Sequence, residues 1–198
     1  MTESRLTARL AALVAVVALG AAQGQEAPAQ APQVHEKALV CMACHGPDGH
    51  SIQPLTPHLA GQSARYIYLQ LRDIQEGRRL NPLMTAIVAG LTRDDMREIA
   101  DYFGAQKPAR QTFKADPEKA RLGKIKTEEA LCTMCHLGGF AGQNEVPRLA
   151  GQHFDYIVSE LKDFKAHVRT NDAGTMTSVV DTLSDADIEN IAHYLAEL

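Results

Sequence analysis

The sequence has no tryptophan, no apolar run longer than ten residues, and no stretch in which apolar and polar residues alternate convincingly. A helix that crosses a bilayer needs about 20 consecutive apolar residues, and a half-buried strand shows alternation with a period of two. These absences argue against a transmembrane helix and against a β-sheet. Apolar residues instead recur at helical spacing, so the sequence predicts an all-α fold.

The chain also lacks a strong excess of charge of either sign. Its 20 lysines and arginines and its 24 aspartates and glutamates leave a formal net charge of -4. Such a balance argues against binding to nucleic acid and against attraction to an anionic membrane surface. It permits a basic protein partner, and a peripheral association with a membrane stays open.

The N-terminus has the features of an export signal. Arg5 and Arg9 precede an apolar run at 10–19, and small residues follow that run. This order is typical of a secretory signal peptide, which we assign to residues 1–24, with an uncleaved membrane anchor as the alternative. Residues 25–33 are rich in Ala, Gln and Pro and are predicted to form a flexible leader. The mature protein is therefore expected in the periplasm.

All four cysteines lie in two copies of one pattern, in which C-x-x-C is followed directly by histidine. The copies consist of Cys41, Cys44 and His45, and of Cys132, Cys135 and His136. The pattern is the attachment signature of c-type haem, because two thiols on one side of a helical turn can bond to the two vinyl groups of one porphyrin. The following imidazole then lies under the iron. Two covalently bound haem c groups are predicted; a redox disulfide within each pair and a four-cysteine zinc site are the alternatives.

The pattern belongs to a longer internal repeat with an offset of 90–92 residues. In both copies it is followed by P-x-L-A-G-Q, then R-x-N, a methionine, L-[ST]-x-x-[DE] and I-A-x-Y. The repeat predicts two haem domains, residues 34–107 and 126–198, that pack on each other. Residues 108–125 are predicted to form a linker, in which Pro108 and Pro117 stop helices. The linker is basic, and it is interpreted either as a solvated segment or as a docking patch for an acidic redox partner.

Helical periodicity and caps predict three helices in each copy. They run through Val34–Ala43, through Ala64–Gln75 and onward from Thr92 in the first copy, and through Lys126–Met134, through Phe154–Lys165 and onward from Ser184 in the second. The last helix of each copy has an acid three residues after its hydroxyl cap, Asp95 or Asp187, so a capping box can form. A loop with Arg, Asn and Met is expected between the second and last helices.

Met84 and Met176 are the predicted sixth ligands of the two irons, opposite His45 and His136. They lie 39 and 40 residues beyond these histidines, in matching loops. Ligation by methionine and histidine raises the reduction potential, because the soft thioether favours reduced iron. It also leaves no open position for substrate, so such an iron transfers electrons and performs no catalysis.

Other side chains compete for the same role. Three histidines are rival ligands, although none has a histidine at the matching place in the other copy: His58, His153 and His167. Met42 and Met134 lie inside the attachment pattern, too close to the haem edge to reach across its face. Met96 lies on the apolar face of the last helix, where a core position is the usual role.

The repeated motifs, in this order and after a signal peptide, resemble the dihaem cytochrome c4 family over nearly the whole mature chain. The resemblance implies two class I cytochrome c domains related by a pseudo-twofold axis, with haem edges close across their interface. It implies electron transfer in the periplasm, often to a terminal oxidase. It also implies that the carbonyls of Pro57 and Pro147 accept the imidazole N–H, a bond that fixes the ring and raises its basicity.

Two further features follow from the repeat. The first copy is two residues shorter between its Asn and its Met, at 81–84 against 171–176, which suggests unequal potentials. Three polar pairs recur at equivalent places: Tyr66 and Tyr156, Arg79 and Arg169, Asn81 and Asn171. They are interpreted either as contacts to haem propionates or the methionine sulfur, or as packing between domains and at helix surfaces.

Three functions are compatible with these features. The first is a diffusible dihaem electron carrier, whose partners are a respiratory donor and an oxidase or dehydrogenase. The second is a dedicated dihaem subunit of a larger enzyme that oxidises sulfur compounds or alcohols. The third is a dihaem enzyme, which would need an open or labile haem and catalytic residues for which the chain has little length. The sequence favours the carrier and predicts no catalytic residues.

Overall fold

The computed structural model of the protein describes residues 36–108 and 112–198. The predicted signal peptide and leader lie outside these residues. The helices are α1 Ala38–His45, α2 Ala64–Gln75, α3 Pro82–Val88, α4 Arg93–Gly104, α5 Pro117–Glu129, α6 Thr133–His136, α7 Phe154–Lys165, α8 Thr175–Val180 and α9 Asp185–Glu197, with 3-10 turns at Pro47–Gly49 and Gly138–Phe140. Within the described ranges, strand-like pairing is limited to one isolated bridge between Gln143 and Val146. The predicted all-α fold is confirmed.

The middle and last helices of each half form where the sequence predicts them. Both α2 and α7 have the predicted bounds. The helices α4 and α9 begin directly after Thr92 and Ser184, and each has the expected capping box with Asp95 or Asp187. These elements are specified by local signals, because amphipathic spacing and a capping side chain are both visible in a short stretch of sequence.

The first helix of each half differs from the prediction. Helix α1 begins at Ala38 and continues through His45, so it ends two residues later than predicted. In the second half the predicted helix at 126–134 is wrong. Helix α5 ends at Glu129, the chain turns, and the separate short helix α6 carries the second attachment histidine.

Pro117 starts a helix and does not stop one, contrary to the prediction. Asp116 caps α5 by accepting two backbone hydrogen bonds of 3.0 Å from its first turn. A proline is tolerated there because its missing N–H would have no partner inside the helix. Residues 117–125 of the predicted linker are therefore helical, and they pack against α9 with Gly123 buried. The limits of the two domains stay a prediction.

Each half has its own hydrophobic core. In the first half, α2 and α4 enclose Met96 and Phe103, both fully buried, so the predicted core position of Met96 is confirmed. In the second half, α7, α8 and α9 surround Ile188 and Phe140. The described residues nevertheless belong to one compact unit, which means that the two halves pack on each other. None of the described helices combines the length and apolarity that crossing a bilayer requires.

Gly123 is expected to be essential for the contact between α5 and α9. A Cβ atom at this position would collide with the backbone carbonyl of Asn190 in α9. We therefore expect Gly123→Ala to destabilise the protein by about 1–3 kcal/mol, the usual cost of overpacking. The matched control is Gly90→Ala, since a Cβ there meets no atom within 4 Å. Thermal unfolding of the two variants checks this; equal melting temperatures would contradict the tight contact.

Candidate haem sites

Each attachment pattern is held on a single helical turn. Cys41, Cys44 and His45 all lie on α1, while Cys132 caps α6 and the other two residues of its pattern lie on that helix. Burial raises the pKa of Cys41 and of Cys132, so these thiols are neutral at neutral pH. Neither a disulfide nor a cluster of metal-ligating side chains occurs among the described residues.

The two histidines are buried, and each is fixed by one carbonyl. Nδ1 of His45 donates to the carbonyl oxygen of Pro57 at 2.9 Å, and Nδ1 of His136 donates to that of Pro147 at 2.9 Å. A carbonyl can only accept, so Nδ1 carries the proton and Nε2 is the nitrogen with a free lone pair. Burial lowers the pKa of both imidazoles more than these bonds raise it. Each ring is thus neutral and oriented, as an iron ligand must be.

The two methionines lie in short helices, where the sequence predicts loops. Met84 is on α3 and packs against the core that contains Cys41. Met176 is on α8 and packs against the core that also contacts Cys132. Each methionine therefore shares a core with the attachment cysteine of its own half. Their assignment as iron ligands stays a prediction.

The rival histidines have other contacts. His58 and His153 stack on each other with ring centroids 4.0 Å apart. His153 also contacts the carbonyl of Ser51 through Nε2 at 3.1 Å. The side chain of His167 is 61% exposed and lies 3.7 Å from Asp181. Two of the three are thus part of the contact between the halves, and the third is on the surface.

The extra residues before Met176 change the cap of the short helix. In the first half, Oδ1 of Asn81 accepts from the backbone N–H of Met84 at 3.1 Å. In the second half, Asp172 accepts from both the N–H and the hydroxyl of Thr177, at 2.7 and 3.0 Å. The two methionines therefore stand on differently anchored helices, which is a structural asymmetry between the two sites.

Asn171, the counterpart of Asn81, does not cap a helix, and its side chain instead contacts residues of the other half. Its Nδ2 donates to Oε1 of Gln70 at 3.0 Å and to Oδ2 of Asp73 at 2.9 Å. The repeated asparagine thus has a different role in each copy. For Asn171 the interpretation as interdomain packing is confirmed.

Two buried arginines and one carboxylate connect the halves. Nη2 of Arg79 donates to the hydroxyl of Tyr156 at 3.0 Å, and the guanidinium pairs with Glu160. Nη2 of Arg169 donates to the hydroxyl of Tyr66 at 3.0 Å, and its guanidinium pairs with the same Glu160. The interpretation of the tyrosine and arginine pairs as interdomain packing is confirmed by these contacts.

Among the described residues, the carboxylate of Glu160 pairs with both arginines of this network. Burial acts to raise the pKa of Glu160, but the nearby charges of Arg79 and Arg169 outweigh it and hold that pKa below its usual range. The counterpart of Glu160 in the first copy is Gln70, which is uncharged. Two arginines therefore share one ionised carboxylate at the centre of the interface.

Three interface residues receive no role from the sequence alone: Gln62, Gln152 and Glu160. The glutamines do leave a signal, because both end the repeated P-x-L-A-G-Q motif. Both residues are buried, each with 8% of its surface exposed, and both contact the opposite half. Glu160 leaves no such signal, since the residue at its place in the first copy differs.

The donor set of each half fits a covalently attached haem. Each set offers two thiols and one neutral imidazole on a single helical turn, together with a methionine from the same core. Soft thioether sulfur and imidazole nitrogen are the axial pair of electron-transferring c-type haems. Such a haem supplies a one-electron iron couple.

Protonation of His58 is expected to destabilise the protein in mild acid. Burial, and then the charges of His153 and His50, lowers the pKa of His58 to about 4. The unfolded chain, with an ordinary pKa near 6.5, binds the proton first, so stability is full above pH 6.5 and is lost as the pH falls toward 4. We expect a loss of about 1–2 kcal/mol after allowance for solvent screening.

This pH dependence is measured by thermal unfolding of the haem-loaded protein at pH 4.5 and pH 7. His58→Gln should reduce the difference between the two melting temperatures. His167→Gln is the control, because its exposed side chain is not part of the interface. An identical pH dependence in the two variants would contradict the account.

Two cytochrome c profiles match the chain, one in each half. The profile for "Cytochrome c" matches residues 22–107, and that for "Cytochrome C oxidase, cbb3-type, subunit III" matches residues 121–195. The two halves are therefore two cytochrome c domains, in the order that the repeat predicts.

The chain is similar to whole proteins as well. It is 37% identical over 206 residues to "Cytochrome c4" of Pseudomonas aeruginosa, covering 98% of this chain and 99% of that protein. The crystal structure of reduced recombinant cytochrome c4 from Pseudomonas stutzeri superposes with a TM-score of 0.76 at 38% identity, covering 82% of this chain and 95% of that one. The chain is also 30% identical over 212 residues to a "Thiosulfate dehydrogenase electron acceptor" of Stutzerimonas stutzeri strain A1501, covering 96% and 93% of the two proteins.

Proposed function

The chain belongs to the dihaem cytochrome c4 family, and from that membership we propose that it carries single electrons in the periplasm between a respiratory donor and an acceptor such as a terminal oxidase. The family membership itself establishes an electron-transfer protein with two covalently bound haem c groups. The observation that carries the proposal is the pair of buried neutral imidazoles, each fixed by a proline carbonyl.

The proposed iron ligands are His45 with Met84 in the first half and His136 with Met176 in the second. The attachment thiols would hold the porphyrin edge, and the proline carbonyl keeps each imidazole in one orientation for binding iron. A methionine from the core would supply the remaining ligand. An iron with six ligands offers no position for substrate, which favours a carrier over an enzyme.

Export supports the proposed location. Residues 1–24 have the order of a secretory signal, and covalent haem attachment in bacteria takes place outside the cytoplasm. The mildly acidic chain suits a basic surface on a redox partner. Long-range attraction of this kind mainly raises the association rate and weakens with salt.

Optical spectra of the haem-loaded ferric protein test the proposed ligands. A methionine-to-iron absorption near the red end, with the intensity of two haems, is the expected result. Carbon monoxide should leave the spectrum of the reduced protein unchanged, because neither iron has an open position. One haem that binds carbon monoxide in the unmodified protein would overturn the carrier and favour an enzyme.

A dedicated electron-transfer subunit is the second candidate. It is favoured by the similarity to the thiosulfate dehydrogenase electron acceptor. The two candidates share their haem chemistry and differ in whether a partner stays bound. Size-exclusion chromatography of protein released gently from its native cells distinguishes them: a free carrier elutes at the size of one chain, and a subunit elutes with a dehydrogenase.

A further inference from the structure

Gln62 and Gln152 each reach across the interface and bind backbone in the opposite half. Oε1 of Gln152 accepts from the N–H of His58 at 2.9 Å, and its Nε2 donates to the carbonyl of His58 at 3.0 Å. Gln62 binds Arg148 in the same manner, with its Oε1 accepting from the N–H at 2.7 Å and its Nε2 donating to the carbonyl at 2.9 Å. Each glutamine thus makes a bidentate contact with one backbone residue of the opposite half, and the two contacts are reciprocal.

The residues that they bind directly follow the two prolines of the haem sites. The N–H of His58 belongs to the same peptide group as the carbonyl of Pro57, and that carbonyl accepts from Nδ1 of His45 at 2.9 Å. A continuous chain of hydrogen bonds therefore runs from Gln152 through one peptide group to His45. The mirror chain runs from Gln62 through the peptide group of Pro147 to His136.

Hydrogen bonds in such a chain strengthen each other. A peptide whose N–H is bonded to an acceptor becomes more polarised, and its carbonyl becomes a better acceptor, by about 10–30% per bond. A stronger bond at Nδ1 raises the basicity of the imidazole. A more basic imidazole stabilises ferric iron and lowers the reduction potential. The hydrogen bond that Oε1 of each glutamine accepts therefore lowers the reduction potential of the iron in the other half.

The rest of the P-x-L-A-G-Q motif is anchored within its own half. The N–H of Leu59 donates to Gly49 and the N–H of Gly61 donates to Phe103, at 2.9 and 3.0 Å. Both contacts recur in the second copy, from Leu149 to Phe140 and from Gly151 to Leu195. The motif thus holds its loop locally and extends its final glutamine into the opposite half.

We propose that Gln152 is a positioning residue for the haem of the first half and Gln62 for the haem of the second, so that each half tunes the reduction potential of the other. The inference rests on the proposed function through its ligands His45 and His136. It extends that function: the interface between the halves sets the potentials of both irons as well as holding the domains together.

The test uses Gln152→Met and Gln62→Met in the haem-loaded protein. Methionine keeps the length of the side chain and removes both hydrogen-bonding atoms. The midpoint potential of each haem is followed by NMR during a redox titration, with haem methyl signals assigned through their contacts to Met84 or Met176. Q152M should raise the potential of the haem attached at Cys41 more than that of the other haem, and Q62M should show the reverse preference.

The crossed pattern is the decisive observation. Shifts that fall mainly on the haem of the mutated half, equal shifts of both haems, or unchanged potentials would each overturn the proposal, since a loosened interface alone would produce no crossing. If Q152M does not fold, Gln152→Asn withdraws the amide by one methylene and tests the same crossing. The red absorption of the unmodified protein is recorded alongside: its absence would overturn the methionine ligands of the proposed function and leave the glutamine role to be decided by the crossing, and its presence with uncrossed shifts would overturn the glutamine role alone.

Discussion

Met84→Ala is expected to lower the reduction potential of the haem attached at Cys41 and Cys44 by on the order of 0.1 V, a part of the range of about 0.8 V that axial ligands span. The thioether favours ferrous iron, so its removal stabilises the ferric state. The vacated position should also admit carbon monoxide to the reduced haem. The red methionine-to-iron absorption should fall to half, and spectroelectrochemical titration measures the potential of each haem.

Met96→Ala is the matched control for this substitution. Met96 is fully buried in the same core, so its loss should destabilise the protein by about 2–5 kcal/mol. The red absorption and both potentials should persist in the folded variant. Met176→Ala should repeat the result of Met84→Ala at the other haem. Full red absorption in Met84→Ala would show that Met84 is not a ligand.

Glu160→Gln is expected to destabilise the contact between the halves by about 3 kcal/mol, because it removes the carboxylate with which two buried arginines pair. Glu160 pairs with both Arg79 and Arg169, and the three side chains are 16%, 12% and 9% exposed. Glutamine keeps the shape of the side chain, so the loss reports the charge. For a domain pair of this size the melting temperature should fall by roughly 6–12 °C.

Glu118→Gln is the control for the loss of one carboxylate. Glu118 pairs with Arg121 on α5, and both side chains are more than half exposed. An exposed pair of this kind contributes little to stability, because solvent screens the two charges. Calorimetry of the two haem-loaded variants gives the comparison. Equal melting temperatures would contradict a central role for the buried carboxylate.

The contacts of the two attachment histidines agree with what the sequence implies, since the carbonyls of Pro57 and Pro147 bind Nδ1 of His45 and His136. The attachment pattern is contiguous, and the repeat pairs each residue with a counterpart, which singles out Met84 and Met176 among six methionines. The helices α2 and α7 have the predicted bounds for a similar reason. Their apolar faces and their ends are both determined within twelve residues.

Helix α5 cannot be predicted from its local sequence. Its apolar residues do not form a clear stripe along one face. Pro117, at its first position, is a residue type that usually ends a helix. The helix is stabilised by its contact with α9, in which the absence of a side chain at Gly123 permits close approach. Such a contact joins segments distant in sequence and cannot be detected by periodicity.

The contacts between the halves cannot be predicted from the sequence for a different reason. Repetition identifies the tyrosines, arginines and asparagines as a set, but it does not distinguish contact with a haem from contact with the other half. Asn81 and Asn171 show the difficulty directly, since one caps a helix and the other crosses the interface. The two-residue insertion that separates their roles acts through tertiary geometry.

Electron paramagnetic resonance of the ferric, haem-loaded protein tests the central claim most directly, because the spin state of each iron reports whether its sixth position is filled. Two low-spin signals that together account for two irons per chain are the predicted result for ligation by His45 with Met84 and by His136 with Met176. A high-spin signal that accounts for one of the irons would contradict the account of a closed dihaem electron carrier.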